Sequence, residues 1–404
     1  MIRVAHILQC MAERSGGPVQ VARGLGDGVA SLGGKVRYLT AASEEDMAEL
    51  VSRRPEIRCY GMSWPRAWFR SPGLAKDLVS GIGSIDLLHV HEVWSHPVYA
   101  AAKIARRSGT PCVLTPHGEL EPWRVRNRLL KHLKKRAYLS LLGQRMLRGV
   151  DCLHAITPRE VDGFRRAGYR GPVSIVPNGI DPEPFARLPD PREADLRWPP
   201  LRGRRVVLFL ARLQKEKGLD QLIPAWKKLT DRGSYDDAML VLAGPDDRGH
   251  RRVVEALVQR NGVASRVLLT GMVRGQEKMS LVSRADVYTL PSYSEGFSMS
   301  VLENLAAGKP MLITPGCNFP EVAEAGAGLC VPPSADALAE ALGRLLDMSE
   351  SERIAMGRRG QQLVRRGYTW EIAARRMLTV YRCILNGREI PLHPEPAAAS
   401  QRAA

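Results

Sequence analysis

The 404-residue chain has no apolar run near the roughly twenty residues a membrane-spanning helix needs, no Cys-x-x-Cys pair and no Asp-x-Asp. Its seven cysteines are odd in number and scattered, which excludes a disulfide framework or a structural zinc site and fits a reducing cytoplasm. The opening residues 1–10 are too short, and too soon followed by Glu13 and Arg14, for a secretory signal; they read as a first strand. Aromatics make up only 6% of the chain and no recognisable nucleic-acid-binding module is present, so no nucleic-acid partner is expected.

Acids are also missing locally. Lysine and arginine number 59 against 42 acids, a net charge of +17, and residues 123–148 contain no acid at all. Within that stretch Leu129, Leu130, Leu133, Ala137, Leu141 and Leu142 recur at helical spacing, with Lys131, Lys134, Lys135 and Arg136 around them. The pattern predicts a basic amphipathic helix on an anionic membrane surface, with packing on its own domain as the alternative. The expected location is therefore cytoplasmic, peripheral on the inner face of the cytoplasmic membrane.

What is present is an ordinary globular composition, 44% hydrophobic and 25% charged, in a chain longer than one core usually supports. Strands are expected at 3–8, 36–40, 87–91, 112–115, 152–155 and 173–176, with helical or irregular stretches between them, giving one doubly wound sheet. Pro177-Asn178-Gly179 closes it. A second half repeats the plan with strands at 206–211, 239–243, 267–270, 286–290, 311–314 and 328–331. The expected fold class is α/β with two doubly wound, Rossmann-like domains facing across a cleft. Their spans are 1–180 and 181–368, a last helix near 369–386 returns to the first domain, and a Pro- and Ala-rich tail, 388–404, is expected to be disordered.

Residues 295–303, Glu-Gly-Phe-Ser-Met-Ser-Val-Leu-Glu, carry the densest chemical signal. A buried strand precedes them, and a short helix over 299–307 closes at Gly308 before Pro310. The unpaired amides of Phe297, Ser298, Met299 and Ser300 at that helix start suit a phosphate. Carboxylates beside a phosphate are better matched to hydroxyls, so Glu295 and Glu303 are expected to accept hydrogen bonds from alcohols on either side of it, which describes a nucleotide sugar. Upstream, the apolar strand at 206–211 runs into a loop with Arg212, Lys217 and Gly218. Both loops fall at carboxyl ends of strands, where ligands bind in open α/β sheets.

In the first half, Thr115-Pro116-His117-Gly118-Glu119 puts His117 at a strand's carboxyl end, placed to hydrogen-bond a sugar or the charge developing beside it. His89 and His91, with Glu92 after them, read as a buried or capping pair. Gly16 and Gly17 after the first strand allow close approach of backbone to a phosphate or an acceptor.

Taken in order, Ala-Arg212-Leu-x3-Lys217-Gly, Glu295-x7-Glu303 and 176–181 (Val-Pro-Asn-Gly-Ile-Asp) resemble the retaining glycosyltransferases of family 4, which have the GT-B fold. The resemblance runs from Gly16-Gly17 to the region of Trp370. It implies transfer of a sugar from a nucleoside-diphosphate donor to a hydroxyl of a lipid-linked or polysaccharide acceptor. Arg212 and Lys217 would bind the diphosphate with the amides of Phe297, Ser298 and Met299, Glu303 the ribose and Glu295 the sugar, while His117 joins Glu295 at the reacting centre. No cofactor and no metal are expected, because the Asp-x-Asp of metal-dependent enzymes of the other common fold is missing. The presence of Ser298 and Ser300, where smaller or aliphatic residues are commoner in the family, leaves the donor sugar open.

Two rival classes are a nicotinamide-dependent oxidoreductase and an inactive GT-B binding protein. Gly24-x-Gly26-x-Gly28 has the wrong spacing for a dinucleotide fingerprint and falls within a helical pattern. The intact set Arg212, Lys217, Glu295 and Glu303 speaks against loss of activity.

Overall fold

The computed structural model describes residues 1–12, 16–53, 56–120 and 138–396. The chain forms two compact units, Met1–Gly179 with Trp370–Ala404, and Ile180–Thr369.

The first unit is built on seven strands: β1 (Arg3–Leu8), β2 (Lys35–Ala42), β3 (Ile57–Gly61), β4 (Leu87–His91), β5 (Cys112–Thr115), β6 (Cys152–Ala155) and β7 (Val173–Ile175). They lie in the order β3-β2-β1-β4-β5-β6-β7, with every pairing parallel. Every residue of β4, β5 and β6 is buried, as expected for strands covered by helices on both faces. Strand β3 was not foreseen; its sequence, Ile-Arg-Cys-Tyr-Gly, is short, half polar and at the sheet edge.

The helix Gly17–Ser31 follows β1 and packs against the last helix, Trp370–Leu385, which brings Ala373, Ala374, Met377, Leu378 and Tyr381 into one core with Val4, Leu25, Val29 and Leu87. The glycines of the Gly24-x-Gly26-x-Gly28 run make this contact possible. A Cβ on Gly24 would sit 2.1 Å from the Trp370 ring and one on Gly28 2.8 Å from the Ala374 methyl, while one on Gly26 would meet the Tyr38 hydroxyl at 2.1 Å. They are packing glycines inside a helix and not a dinucleotide turn.

The second unit has six strands, β8 (Arg205–Leu210), β9 (Ala238–Ala243), β10 (Val267–Gly271), β11 (Val287–Leu290), β12 (Met311–Ile313) and β13 (Gly328–Cys330). Their order is β10-β9-β8-β11-β12-β13, again all parallel. The helix Leu219–Thr230 after β8 turns Leu222, Ile223, Trp226 and Leu229 into the core and packs on the helix Ala335–Asp347. Two doubly wound parallel sheets of seven and six strands are the α/β architecture of the GT-B fold.

One expectation is corrected. Residues 388–396, assigned from sequence to an unstructured tail, run back along β7: the Ile175 amide donates to Leu392 O at 2.7 Å, the Ser174 hydroxyl to Pro391 O at 2.7 Å and the Thr379 hydroxyl to Glu395 O at 2.9 Å. An edge strand leaves a row of unpaired backbone groups, and proline-rich extended chain serves them without becoming a further strand. The basic residues Lys131, Lys134, Lys135 and Arg136 lie outside the described residues. Among the described residues no helix is long and apolar enough to cross a membrane.

Candidate active site

In each sheet the chain reverses its winding beside the first strand, between β1 and β4 in one unit and between β8 and β11 in the other. Crevices at the carboxyl ends of strands form at such switch points. Arg212 and Lys217 follow β8, and Glu295 follows β11, so the topology brings these three to one end of adjacent strands.

Close backbone contacts hold the loops there. Gly218 has φ 71, in the left-handed region, and a Cβ on it would stand 2.0 Å from Pro291 O, so only glycine lets the loop after β8 lie against the loop after β11. The Tyr293 amide donates to Glu216 O at 2.9 Å, locking the same two loops. Glu295 is fixed at both ends of its backbone, its amide donating to Gly316 O at 2.8 Å and its carbonyl accepting from the Asn318 side chain.

Lys217 Nζ lies 2.6 Å from Glu295 Oε1, and both side chains are largely buried, 14% and 11% exposed. The Ser292 hydroxyl donates to the same carboxylate. Glu303, on the helix Met299–Ala306, is paired in the same way with Lys278 at 2.6 Å. Lys278 comes from the helix Gly275–Arg284 and carried no signal in the sequence, because nothing local links it to Glu303. Both carboxylates act on the buried Tyr288 phenol, whose pKa is raised well above its usual value by burial first and by nearby acids, Glu295 and Glu303 among them, after it. Arg212 is exposed and makes no ion pair among the described residues. With three cations and two carboxylates, the five residues carry a net positive charge that favours an anion.

The helix start is partly used. The Ser298 hydroxyl caps it, accepting from the Val301 amide at 3.4 Å, and lies 3.2 Å from the Ser300 hydroxyl, which pairs with Tyr288 OH at 2.8 Å. These contacts turn both serine side chains toward the protein. Phe297 packs against Phe319 and Tyr368, with ring centroids 5.3 and 6.2 Å away.

In the first unit Gly16, with φ 77, caps the helix that starts at Gly17, and neither glycine has a described atom within 4 Å of where a Cβ would stand. Glu92 and His117, at the ends of adjacent β4 and β5, are both non-glycine residues with positive φ, 72 and 53. Such strain survives only where the surroundings impose it, and it gathers at working sites. Burial, and then the neighbouring Glu119, raise the Glu92 carboxyl to about 8, so it is protonated at neutral pH.

His117 is the outer member of a row of histidines. Its Nε2 lies 3.0 Å from His91 Nδ1, and His91 Nε2 lies 2.9 Å from His6 Nδ1. His89 belongs to a second row, with Nδ1 2.6 Å from Tyr381 OH and Nε2 2.6 Å from Thr115 Oγ1; that hydroxyl is 2.8 Å from His154 Nδ1, and His154 Nε2 is 2.7 Å from Val176 O. A carbonyl only accepts, so every proton in the second row is fixed: His154 donates to Val176, Thr115 to His154, His89 to Thr115 and Tyr381 to His89. Burial lowers the pKa of His6 to about 3 and of His154 to about 4, and those of His89 and His91 well below the usual value. Ring nitrogens of His6, His89 and His91 lie within 4.8 Å of one another, close enough to hold a metal ion. Hydrogen bonds already engage both nitrogens of His89 and of His91. His6 and His154 escaped the sequence reading because a histidine inside an apolar strand looks like any other core residue.

Comparison with known proteins agrees with this architecture. Residues 193–363 match the family Glycosyl transferases group 1, and residues 16–179 match the Glycosyl transferase 4-like domain. The chain belongs to the GT-B glycosyltransferases. It is 28% identical to a D-inositol 3-phosphate glycosyltransferase of Corynebacterium urealyticum over 96% of this chain and 94% of the relative. It is also 27% identical to a GDP-mannose-dependent alpha-(1-6)-phosphatidylinositol dimannoside mannosyltransferase of Mycobacterium tuberculosis, covering 68% of each. Among solved structures, a sucrose-phosphate synthase from Thermosynechococcus elongatus superposes with a TM-score of 0.73 at 22% identity, covering 96% of this chain and all of that one. HepE from Anabaena, in complex with UDP and glucose, gives 0.73 at 16% identity over 94% and 98%.

Proposed function

We propose that this chain is a retaining, metal-independent glycosyltransferase of family 4 that moves a sugar from a nucleoside-diphosphate donor to a hydroxyl of a lipid-linked or polysaccharide acceptor. The observation that carries this reading is the pairing of Lys217 with Glu295 and of Lys278 with Glu303, with Arg212 exposed and making no ion pair among the described residues, after strands beside the switch point of the second sheet. Each carboxylate is held by one ammonium, so its remaining oxygen is oriented to accept from a hydroxyl, and each ammonium keeps donors for a phosphoryl oxygen.

In the proposed reaction the bond between the anomeric carbon and the donor phosphate breaks as the acceptor oxygen bonds that carbon on the same face. The acceptor proton passes to the departing phosphate. Arg212, Lys217 and the amides of Phe297, Ser298 and Met299 stabilise the diphosphate, Glu303 holds the ribose, Glu295 the sugar, and His117 acts at the reacting centre. Gly16 and Gly17 leave their backbone open to the acceptor or the phosphate. The relatives support the choice of partners: one is named for GDP-mannose and a phosphatidylinositol glycan, another for inositol 3-phosphate, and HepE holds UDP and glucose. The basic stretch with Lys131, Lys134, Lys135 and Arg136 would hold the enzyme at an anionic inner membrane surface.

The test is a donor screen with UDP-, GDP- and ADP-sugars, with and without chelator, followed by analysis of the product's anomeric configuration. Retained configuration with undiminished turnover in chelator is expected; inversion, or turnover restored only by a divalent ion, would overturn the retaining or the metal-free part.

A further inference from the structure

A cavity of about 200 Å³ opens in the first unit between the helix His96–Ser108, which follows β4, and the short helix Gln144–Leu147, which precedes β6. It is lined by Tyr99, Lys103, Arg106, Arg145 and Met146. Tyr99, Lys103 and Arg106 share one face of the longer helix, at spacings of four and three residues, and Arg145 comes across from the shorter one. The longer helix leads from the carboxyl end of β4 to the amino end of the parallel β5, so Lys103 and Arg106, on its second half, lie away from the switch point beside β1 and β4. Lys103, Arg106 and Arg145 are exposed and make no ion pair among the described residues, and Lys103 Nζ lies 5.9 Å from the centroid of the Tyr99 ring. Three like charges around one hollow repel one another, and an anion seated in it relieves that repulsion.

The surface around the cavity is positive and partly apolar. The loop 62–70 after the edge strand β3 reaches the same helix, with the Trp68 ring centroid 5.2 Å from that of His96 and 6.1 Å from that of Tyr99. Residues 62–70, 96–108 and 138–148 together hold seven lysines and arginines and no acid. Trp64, in that loop, is 84% exposed, and Leu141, four residues before Arg145, is 66% exposed. A free phosphate would engage the cations and leave Trp64 and Leu141 in water. A bilayer interface serves both, because tryptophan settles at headgroup depth and basic side chains are drawn to anionic lipid. We propose that the cavity of Lys103, Arg106 and Arg145 binds the phosphate of an anionic phospholipid headgroup, with Trp64 and Leu141 entering the interface beside it. The site rests on the proposed membrane association and not on the transfer chemistry, and it does not include Lys131, Lys134, Lys135 or Arg136.

Sedimentation of the full chain with vesicles of phosphatidylcholine, alone or mixed with phosphatidylglycerol, tests the site. The wild type should bind the anionic vesicles only. Lys103→Gln, Arg106→Gln and Arg145→Gln together should weaken that binding about 150-fold, at about 5-fold per charge. Trp64→Ser should weaken it about 10-fold. These four side chains are exposed, so both variants should melt with the wild type. Unchanged binding in the triple variant, with binding lost when Lys131, Lys134, Lys135 and Arg136 become Gln, would overturn the cavity and leave membrane association standing. No wild-type binding to either vesicle would overturn both. Calorimetric titration with soluble glycerol phosphate separates the two sources of a phosphate: binding as tight as to vesicles, with Trp64→Ser indistinguishable from wild type in both assays, would reassign the cavity to a free ester and overturn the lipid. Binding to a single-stranded oligonucleotide that the triple variant loses, with none to vesicles, would overturn it in favour of nucleic acid.

Discussion

Acid should unfold the first unit far more steeply than its carboxylates alone would cause. His6, His89, His91 and His154 are each fully buried, and burial lowers their pKa values, to about 3 for His6 and about 4 for His154. Once unfolded they take up protons below about pH 6.5, so between that pH and their folded values the unfolded state binds more protons and stability falls as pH falls. Glu92 works in the other direction. Its folded pKa is raised to about 8 from 4.5, so it holds a proton in the folded state that the unfolded chain has released, and stability falls as pH rises through that window. Below about pH 6.5 the balance is four protons gained on unfolding against one lost, a slope of about 4 kcal/mol per pH unit at about 1.4 kcal/mol per proton. Above it, Glu92 alone gives a slope of about 1.4 kcal/mol per unit of the opposite sign. Stability of this unit should therefore peak near pH 6.5, and a domain stable by about 5 to 15 kcal/mol should be lost between roughly pH 5 and 3. Denaturant unfolding from pH 4.5 to 8.5, with the first unit's transition resolved from the second's, measures the slope. A flat profile from pH 7 to 5, or uptake of fewer than two protons, would refute the buried neutral histidines. Glu92→Gln should abolish the decline above pH 6.5 and leave the acid limb in place.

Arg212→Ala should lower kcat/KM about 10- to 150-fold, the worth of a charged hydrogen bond, with the melting temperature unchanged because the side chain is exposed and makes no described ion pair; kinetics beside a thermal melt checks both. Gly28→Val should destabilise the first unit by about 1 to 3 kcal/mol, since even a Cβ there lies 2.8 Å from Ala374, and denaturant titration reads the loss. Replacing Lys131, Lys134, Lys135 and Arg136 by Gln should weaken sedimentation with anionic vesicles, at about 1 kcal/mol per charge removed; unchanged sedimentation would defeat the membrane reading.

How much of this was legible in the sequence depended on how local each signal was. Apolar runs marked twelve of the strands to within a residue or two, and the segments after β8 and β11 named Arg212, Lys217, Glu295 and Glu303 because each follows its own strand in sequence. Lys278 did not show, since its pairing with Glu303 depends on two helices meeting. The histidine rows were hidden for the same reason: His6, His89 and His154 sit on three different strands, and only the parallel register makes them neighbours. The Gly24, Gly26 and Gly28 run was correctly refused as a nucleotide loop, but its partner, a helix more than three hundred residues later, was not foreseen for those positions. The stretch 388–396 looked unstructured because its proline-rich sequence has no period of its own; its order comes from the edge strand it lies on.

The grip on a diphosphate by the second unit can be tested most directly by calorimetric titration of UDP, GDP and ADP into the full chain, without metal, for the wild type and for Arg212→Ala and Lys217→Gln. One nucleotide should bind the wild type at least tenfold more tightly than either variant, as the loss of a charged hydrogen bond of about 1.5 to 3 kcal/mol requires. Equal affinity in all three proteins, or no binding of any nucleoside diphosphate, would contradict the account.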